Sequence, residues 1–288
     1  MGVLLGPAAA ALLTCLATAT PRAHPELGSV RWLRSLPEAQ AEAKRTGRPL
    51  LILFDEVPGC QTCVRYGQHV LSHPLIVEAA EDLFVPVAIF NNAGGADRAA
   101  LERFEEPSWN NPVVRLVDAA LAPLAPRISG DYSQAGLLEG MQAALTSAGQ
   151  PVPTYLSNLT RELSLPPTKT AHYSMYCFWS GEVCLGELPG VVETRAGFAD
   201  GKEVVEVTYD PRRVTRAALD EAAKGCGTPL PGVGFKPSAR DDKYQLRGAR
   251  WREVFMTPAQ RTAVNARVGR GQPVTDLLSP RQIAALGL

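Results

Sequence analysis

No excess of charge of either sign marks this chain: 29 Lys and Arg stand against 29 Asp and Glu in 288 residues. A basic footprint for nucleic acid is therefore not expected, and there is no acidic tail. No internal repeat is visible. Cysteine is sparse, with Cys15, Cys60, Cys63, Cys177, Cys184 and Cys226 in a spacing that does not describe a disulfide scaffold. Charge is absent altogether from Met1 to Pro21, and Arg22 is the first charged side chain. This Ala/Leu-rich stretch, with small residues before His24, reads as a secretory leader, although it lacks the usual Lys or Arg near its start. It is rich in Ala and Thr, which makes it a weakly hydrophobic membrane span. Leu13-Thr14-Cys15 is a distant relative of a lipoprotein cleavage box, so a lipid or N-terminal anchor is the alternative. We expect an exported protein, periplasmic or secreted, with no stable membrane span once the leader is gone. Setting Cys15 aside leaves five cysteines, and an odd count in an exported chain argues for at least one reactive or exchanging thiol.

The remaining chain alternates helical and buried-strand patterns. Residues 37–47 are helix formers with a Gly stop, and 49–55 (PLLILFD) is a continuous apolar run of strand length. Residues 57–63 are a loop entering a helix. His73-Pro74 opens a short helix, 83–90 is again a buried strand, and 113–117 with 121–127 suggests a hairpin. Residues 133–148 carry Leu137, Leu138, Met141 and Leu145 at helical spacing. Prolines then punctuate 149–168. A strand near 171–176, a helix over 178–188, a strand over 203–209 and a helix over 216–224 follow. In the long tail, 258–268 is helix-like, and Ser279-Pro280 with a final Leu-rich turn suggests docking against the second unit. The expected organisation is a leader at 1–23, a layered α/β unit at 24–150, a Pro-rich linker at 151–168 and a smaller α+β unit at 169–288.

Two cysteine constellations carry the chemistry. Cys60 and Cys63 flank Gln61-Thr62 where a helix follows a buried strand. A thiolate at a helix N-terminus is stabilised by the free N–H groups, and a second Cys one turn on can attack a mixed disulfide. A Cys/His zinc cluster with His69 and His73 is the alternative, disfavoured because the two pairs point to different ends of one helix. No metal and no cofactor is expected. With Trp109-Asn110-Asn111-Pro112-Val113 entering a strand downstream, residues 30–148 resemble a thioredoxin-like domain. The resemblance implies a cis-proline at Pro112 facing the dithiol. Gly59 replaces the Trp usual before the first Cys.

The second constellation is CFWSGEVCLGELPGVVETRAGFADGKEVVEVTYDP, Cys177 to Pro211. It resembles the core of peptide methionine-(S)-sulfoxide reductases. A sulfoxide must be attacked at sulfur by a soft nucleophile, and Cys177 ends a strand and opens a helix, where its thiolate is favoured. Phe178 and Trp179 can cup the substrate methyl group. Glu203, on a strand face shared with Val205, Val207 and Tyr209, is the candidate proton donor. Attack leaves a sulfenic acid on Cys177, which a second thiol resolves. Seven helical residues put Cys184 about 10 Å from Cys177, beyond disulfide reach, so Cys184 reads as a core residue. Cys226, in the flexible Lys224-Gly225-Cys226-Gly227, is the better resolving candidate. Departures from the family are Tyr176 in place of Gly, Phe198 in place of Tyr, and the loss of about twenty residues that supply an oxygen-binding Tyr. The family's Gly-Asn-Asp-x-Gly-x-Gln-Tyr-Arg segment has no evident counterpart; residues 237–246, with Asp242 and Tyr244, are the candidates to refill the pocket.

These readings imply reduction of methionine-S-sulfoxide in an oxidised protein or peptide, with Cys60 and Cys63 returning the oxidised centre to thiol and an external thiol reductant closing the cycle. The alternatives are an exported thiol–disulfide oxidoreductase whose second unit only binds, and a non-enzymatic binding protein.

Overall fold

The computed structural model describes residues 24–231 and 234–288; the expected leader, with Cys15, lies outside them. Strand β1 (Leu50–Asp55) is buried along its whole length. It pairs in parallel with β2 (Val85–Phe90) and antiparallel with β3 (Val113–Val117), which pairs with β4 (Ile128–Ser129). A central strand covered on both faces explains the unbroken apolar run. Leu51 and Leu53 face α2 (Gln61–His69), α3 (Pro74–Leu83) and α5 (Gln134–Ser147). Leu50, Ile52 and Phe54 face α1 (Leu36–Thr46) and α4 (Ala96–Arg103). The period-2 alternation of β1 thus divides one apolar segment between two helical layers.

Two expectations here need correction. The partner of β3 is 128–129, and residues 121–127 contribute only a bridge from Pro123 to Val117. Asp118 accepts from the N–H groups of Ala120 and Ala122, and Leu121 is left-handed at φ 70°, so the chain turns wide there. Pro123 and Pro126 also remove ladder donors. The stretch expected as a linker contains α6 (Thr154–Leu163), whose Tyr155, Leu156 and Leu159 complete the core beside α3 and α5. That i, i+1, i+4 spacing is an amphipathic stripe, masked in the sequence by the flanking prolines.

The second unit is an antiparallel sheet in the order β8-β5-β7-β6-β9, formed by β5 (Lys169–Met175), β6 (Val191–Ala199), β7 (Lys202–Tyr209), β8 (Gly227–Leu230) and β9 (Lys236–Pro237). Helices α7 (Phe178–Leu185) and α8 (Arg216–Ala223) bury Tyr173, Val205, Val207 and Tyr209 against one face. Strand β6 escaped the sequence reading because a register shift between Val191 and Glu193 breaks its alternation.

The tail adds α9 (Ala249–Glu253), α10 (Pro258–Gly269) and α11 (Pro280–Leu286) around Trp251, Val264 and Leu278. Its last helix docks on the first unit, contrary to expectation. Ser279 Oγ donates to Glu78 of α3 at 2.6 Å, Arg281 N–H donates to the same carboxylate at 2.9 Å, and the Arg281 guanidinium binds Glu81 and Asp82. A helix N-terminus seeks anionic acceptors, and α3 offers three. Among the described residues no helix is long and apolar enough to cross a membrane.

Candidate active site

Cys60 is exposed and caps α2, whereas Cys63, one turn on, is fully buried. Their sulfurs lie 3.3 Å apart, and Cys63 donates to Asn111 Oδ1 at 3.0 Å. The peptide Asn111–Pro112 is cis, and Pro112 is buried at the entry to β3. The backbone N–H of Cys63, aimed at the Cys60 sulfur, holds that thiol below its ordinary pKa. Burial pushes the Cys63 thiol far up, and the neighbouring Asp55 carboxyl adds to this. Asp55 is itself fully buried at the end of β1, with Oδ2 unpartnered, and burial raises its pKa to about 7. Glu26, also buried, accepts from Gly59 N–H at 2.7 Å and steadies the loop before Cys60. The arrangement is an exposed nucleophilic thiol, a buried second thiol, and a carboxyl beside the latter able to exchange a proton near neutrality. Sequence reasoning missed Asp55 and Glu26. The signal for Asp55 was there: a lone carboxyl closing an otherwise apolar buried strand.

The His-containing zinc alternative is not assembled. His73 packs edge-on against Phe255 at 5.4 Å, away from the cysteines. Among the described residues the group with donor atoms close enough to hold a metal is Glu56, Cys60 and Cys63, all within 4.8 Å and without a histidine.

Cys177 is half-buried at the N-cap of α7. Glu203, on β7, reaches across so that its Oε2 accepts from Phe178 N–H at 2.8 Å. A carboxyl therefore sits on the first free N–H of the helix that Cys177 caps. Phe178 is buried and meets Phe198 edge-on at 5.4 Å. Trp179 stacks on Tyr244 with ring centroids 3.8 Å apart and planes at 16°. The indole N–H of Trp179 is buried without a partner. Tyr176, next to the cysteine, is fully exposed. Asp242 does not face the rings; it accepts from Ala196 N–H at 3.2 Å and binds Lys243.

Cys184, expected as a core residue, does pack against the core of this unit, but it is not an isolated thiol. It forms a disulfide with Cys226, Cα atoms 6.5 Å apart, which among the described residues leaves Cys60, Cys63 and Cys177 as free thiols. Helix α7 by itself offers Cys184 no partner. The turn after α8 brings Cys226 onto the last turn of α7, across 42 residues of sequence. Met175 pairs with Gly227 in the β5/β8 ladder, and that register carried one residue on sets Cys226 opposite Tyr176.

Residues 31–119 match the family model described as thioredoxin-like. The chain is 34% identical over 84 residues to the peptide methionine sulfoxide reductase MsrA of Corynebacterium diphtheriae, a match covering 23% of this chain and 38% of that protein. It is 28% identical over 160 residues to the MsrA of Salinispora tropica, covering 45% of this chain and 71% of that protein. The chain thus joins a thioredoxin-like domain to a methionine-sulfoxide-reductase-like one. Among solved structures, a thioredoxin from Thermus thermophilus is 25% identical, with a TM-score of 0.37, over 42% of this chain and 91% of that one. The match spans only 38% of the length of the Corynebacterium protein. In the reductase-like domain, Cys177, Glu203, Phe178, Trp179 and Tyr244 converge on the N-terminal turn of α7; in the thioredoxin-like domain, Cys60, Cys63 and Pro112 converge with Asp55.

Proposed function

We propose that this protein reduces methionine-S-sulfoxide in oxidised proteins and regenerates its own reduced form through its thioredoxin-like domain. The observation that supports the reading is the Glu203 carboxyl bound to Phe178 N–H at 2.8 Å, on the first turn of the helix that Cys177 caps. The Cys177 sulfur attacks the sulfoxide sulfur while a proton reaches the oxygen through the Glu203 carboxyl. The S–O oxygen passes to Cys177 as a sulfenic acid, and the thioether leaves. Phe178 and the Trp179–Tyr244 stack supply the apolar wall for the methyl group.

In the fully reduced protein, Cys226 displaces water from the sulfenic acid to form a disulfide with Cys177. Cys184 then attacks Cys226, which frees Cys177 and yields the Cys184–Cys226 disulfide. Cys60 attacks that disulfide, Cys63 resolves the mixed species after losing its proton to Asp55, and an external thiol reductant reduces the resulting Cys60–Cys63 disulfide. A disulfide outside the Cys-X-X-Cys fits an oxidising compartment, in keeping with export.

The test is loss of methyl p-tolyl sulfoxide, assayed as separate enantiomers with dithiothreitol. Selective loss of the S enantiomer, abolished in Cys177→Ser, is expected; equal loss of both, or turnover surviving the substitution, would refute the reading. A second reading, a thiol–disulfide oxidoreductase acting on exported proteins, draws on the exposed Cys60 and on Trp109, 80% exposed just before Asn111. It requires insulin reduction that survives Cys177→Ser and ends with Cys60→Ser, without sulfoxide turnover.

A further inference from the structure

One buried charge pair has no part in the chemistry described so far. Glu182 is fully buried on α7, and Lys243, 5% exposed, donates from Nζ to Glu182 at 3.0 Å. Lys243 Nζ also binds the Thr194 carbonyl and Asp242, while its backbone N–H donates to the other Glu182 oxygen at 2.9 Å. Thr194 Oγ1 completes the carboxylate shell at 3.2 Å. Lys243 takes a left-handed backbone, φ 52°, unfavourable for a side chain of its size and held here by both of its hydrogen bonds to Glu182.

The neighbours of these two residues are what matters. Glu182 lies three positions after Trp179, so both project from one side of α7. Lys243 immediately precedes Tyr244. One helix face therefore meets two consecutive residues of the 241–247 segment: Glu182 takes Lys243, and Trp179 takes Tyr244 in a 3.8 Å stack. The Arg247 guanidinium lies 4.0 Å from the centre of the Tyr244 ring. The flanking Gln245 N–H is anchored on Asn265 of α10.

We propose that Lys243, locked on Glu182, is a positioning residue that sets Tyr244 on Trp179 and so fixes the aromatic wall of the Cys177 site. The inference rests on the reductase reading for its kinetic consequence, but its structural consequence stands apart. The wall contacts substrate in ground and transition states alike, so loosening it raises KM more than it lowers kcat.

The test is a double-mutant cycle in the full chain between Glu182→Gln and Tyr244→Ala. Glu182→Gln keeps a carbonyl acceptor for Lys243 N–H, and Asp242, 2.9 Å from Nζ, remains as counter-ion for the ammonium; far-ultraviolet circular dichroism and cooperative unfolding check that the variant is folded. Each single variant is expected to raise KM for S-methyl p-tolyl sulfoxide about 10-fold, the scale of a lost apolar contact, with kcat changed less than 3-fold, and the double variant is expected to match Tyr244→Ala alone. Effects that multiply in the double variant would overturn the proposal, because Glu182 and Lys243 would then act independently of the ring. The same cycle is read without activity in the near-ultraviolet circular dichroism band of the Trp179–Tyr244 stack. Glu182→Gln must lose that band as Tyr244→Ala does, and retention of the wild-type band would overturn the proposal whether or not the protein turns over sulfoxide.

Discussion

A thiol's chemistry is set within about 5 Å, and the two candidate nucleophiles are prepared differently. Cys60 owes its lowered pKa chiefly to the Cys63 N–H, a property of the helix start. Cys63 is held protonated by burial and by Asp55, so resolution needs a proton acceptor. Asp55 is that acceptor, with its pKa raised to about 7 by burial. The folded form holds this proton more tightly than the unfolded chain, so its contribution to stability is lost as pH rises from about 4 through about 7. Asp55→Asn is accordingly expected to stabilise the reduced protein by about 2–4 kcal/mol at pH 8 and by much less at pH 5, read by urea unfolding at both values. The same variant should slow insulin reduction by about 100-fold or more, the usual scale of a lost general base. At the second site, Glu203→Gln keeps an acceptor for Phe178 N–H and removes the proton donor. It should lower kcat for sulfoxide about 100-fold or more while alkylation of Cys177 by iodoacetamide continues. A parallel loss of alkylation would reassign Glu203 to holding the helix start.

At the scale of elements, α7 carries the reactive cysteine at one end and a disulfide at the other. Cys177 caps its start, where Phe178 N–H binds Glu203, and its last turn ties Cys184 to Cys226. A bridge closing 42 residues constrains the unfolded chain by about 4 kcal/mol. Cys226→Ser should therefore lower the melting temperature of the oxidised protein and leave that of the reduced protein nearly unchanged, as measured by calorimetry with and without dithiothreitol. In the relay, Cys184→Ser should trap a Cys177–Cys226 disulfide after one sulfoxide turnover, visible by peptide mass spectrometry; a sulfenic acid persisting on Cys177 would remove Cys226 from the pathway. Helix α11 is held chiefly from its N-terminal turn. Glu78 receives both Ser279 Oγ and Arg281 N–H, so Glu78→Ala leaves two donors unpaired. A cost of about 2–4 kcal/mol is expected from these charge-assisted bonds, with early hydrogen exchange across 275–288.

At the scale of the whole molecule, two cysteine centres share one chain. A tether sets their mutual concentration on the order of millimolar. Replacing both Cys60 and Cys63 by Ser should leave one stoichiometric round of sulfoxide reduction intact and abolish multiple turnover with a thioredoxin-type reductant. Sustained turnover in that variant would show that the reductase-like domain is served from outside.

Much of this was legible in order along the chain. The apolar run of β1, the Cys-X-X-Cys at a helix start, the Asn111-Pro112 lead-in and the long motif from Cys177 are local patterns, written by burial and by helix ends. The sequence by itself determined the two cysteine motifs, each at a helix start, and the strand face of Glu203. It did not reveal α6 as core, because flanking prolines hid an apolar stripe. Nor did it reveal the Cys184–Cys226 bridge, the Glu182–Lys243 pair, the docking of α11 on α3 or the stacking of Tyr244 on Trp179. Each of these joins residues dozens to hundreds of positions apart, and each depends on register, crossing and burial that exist only after the sheets have formed. Periodicity reports which face a residue occupies; only the packed chain decides which partner waits on the other side.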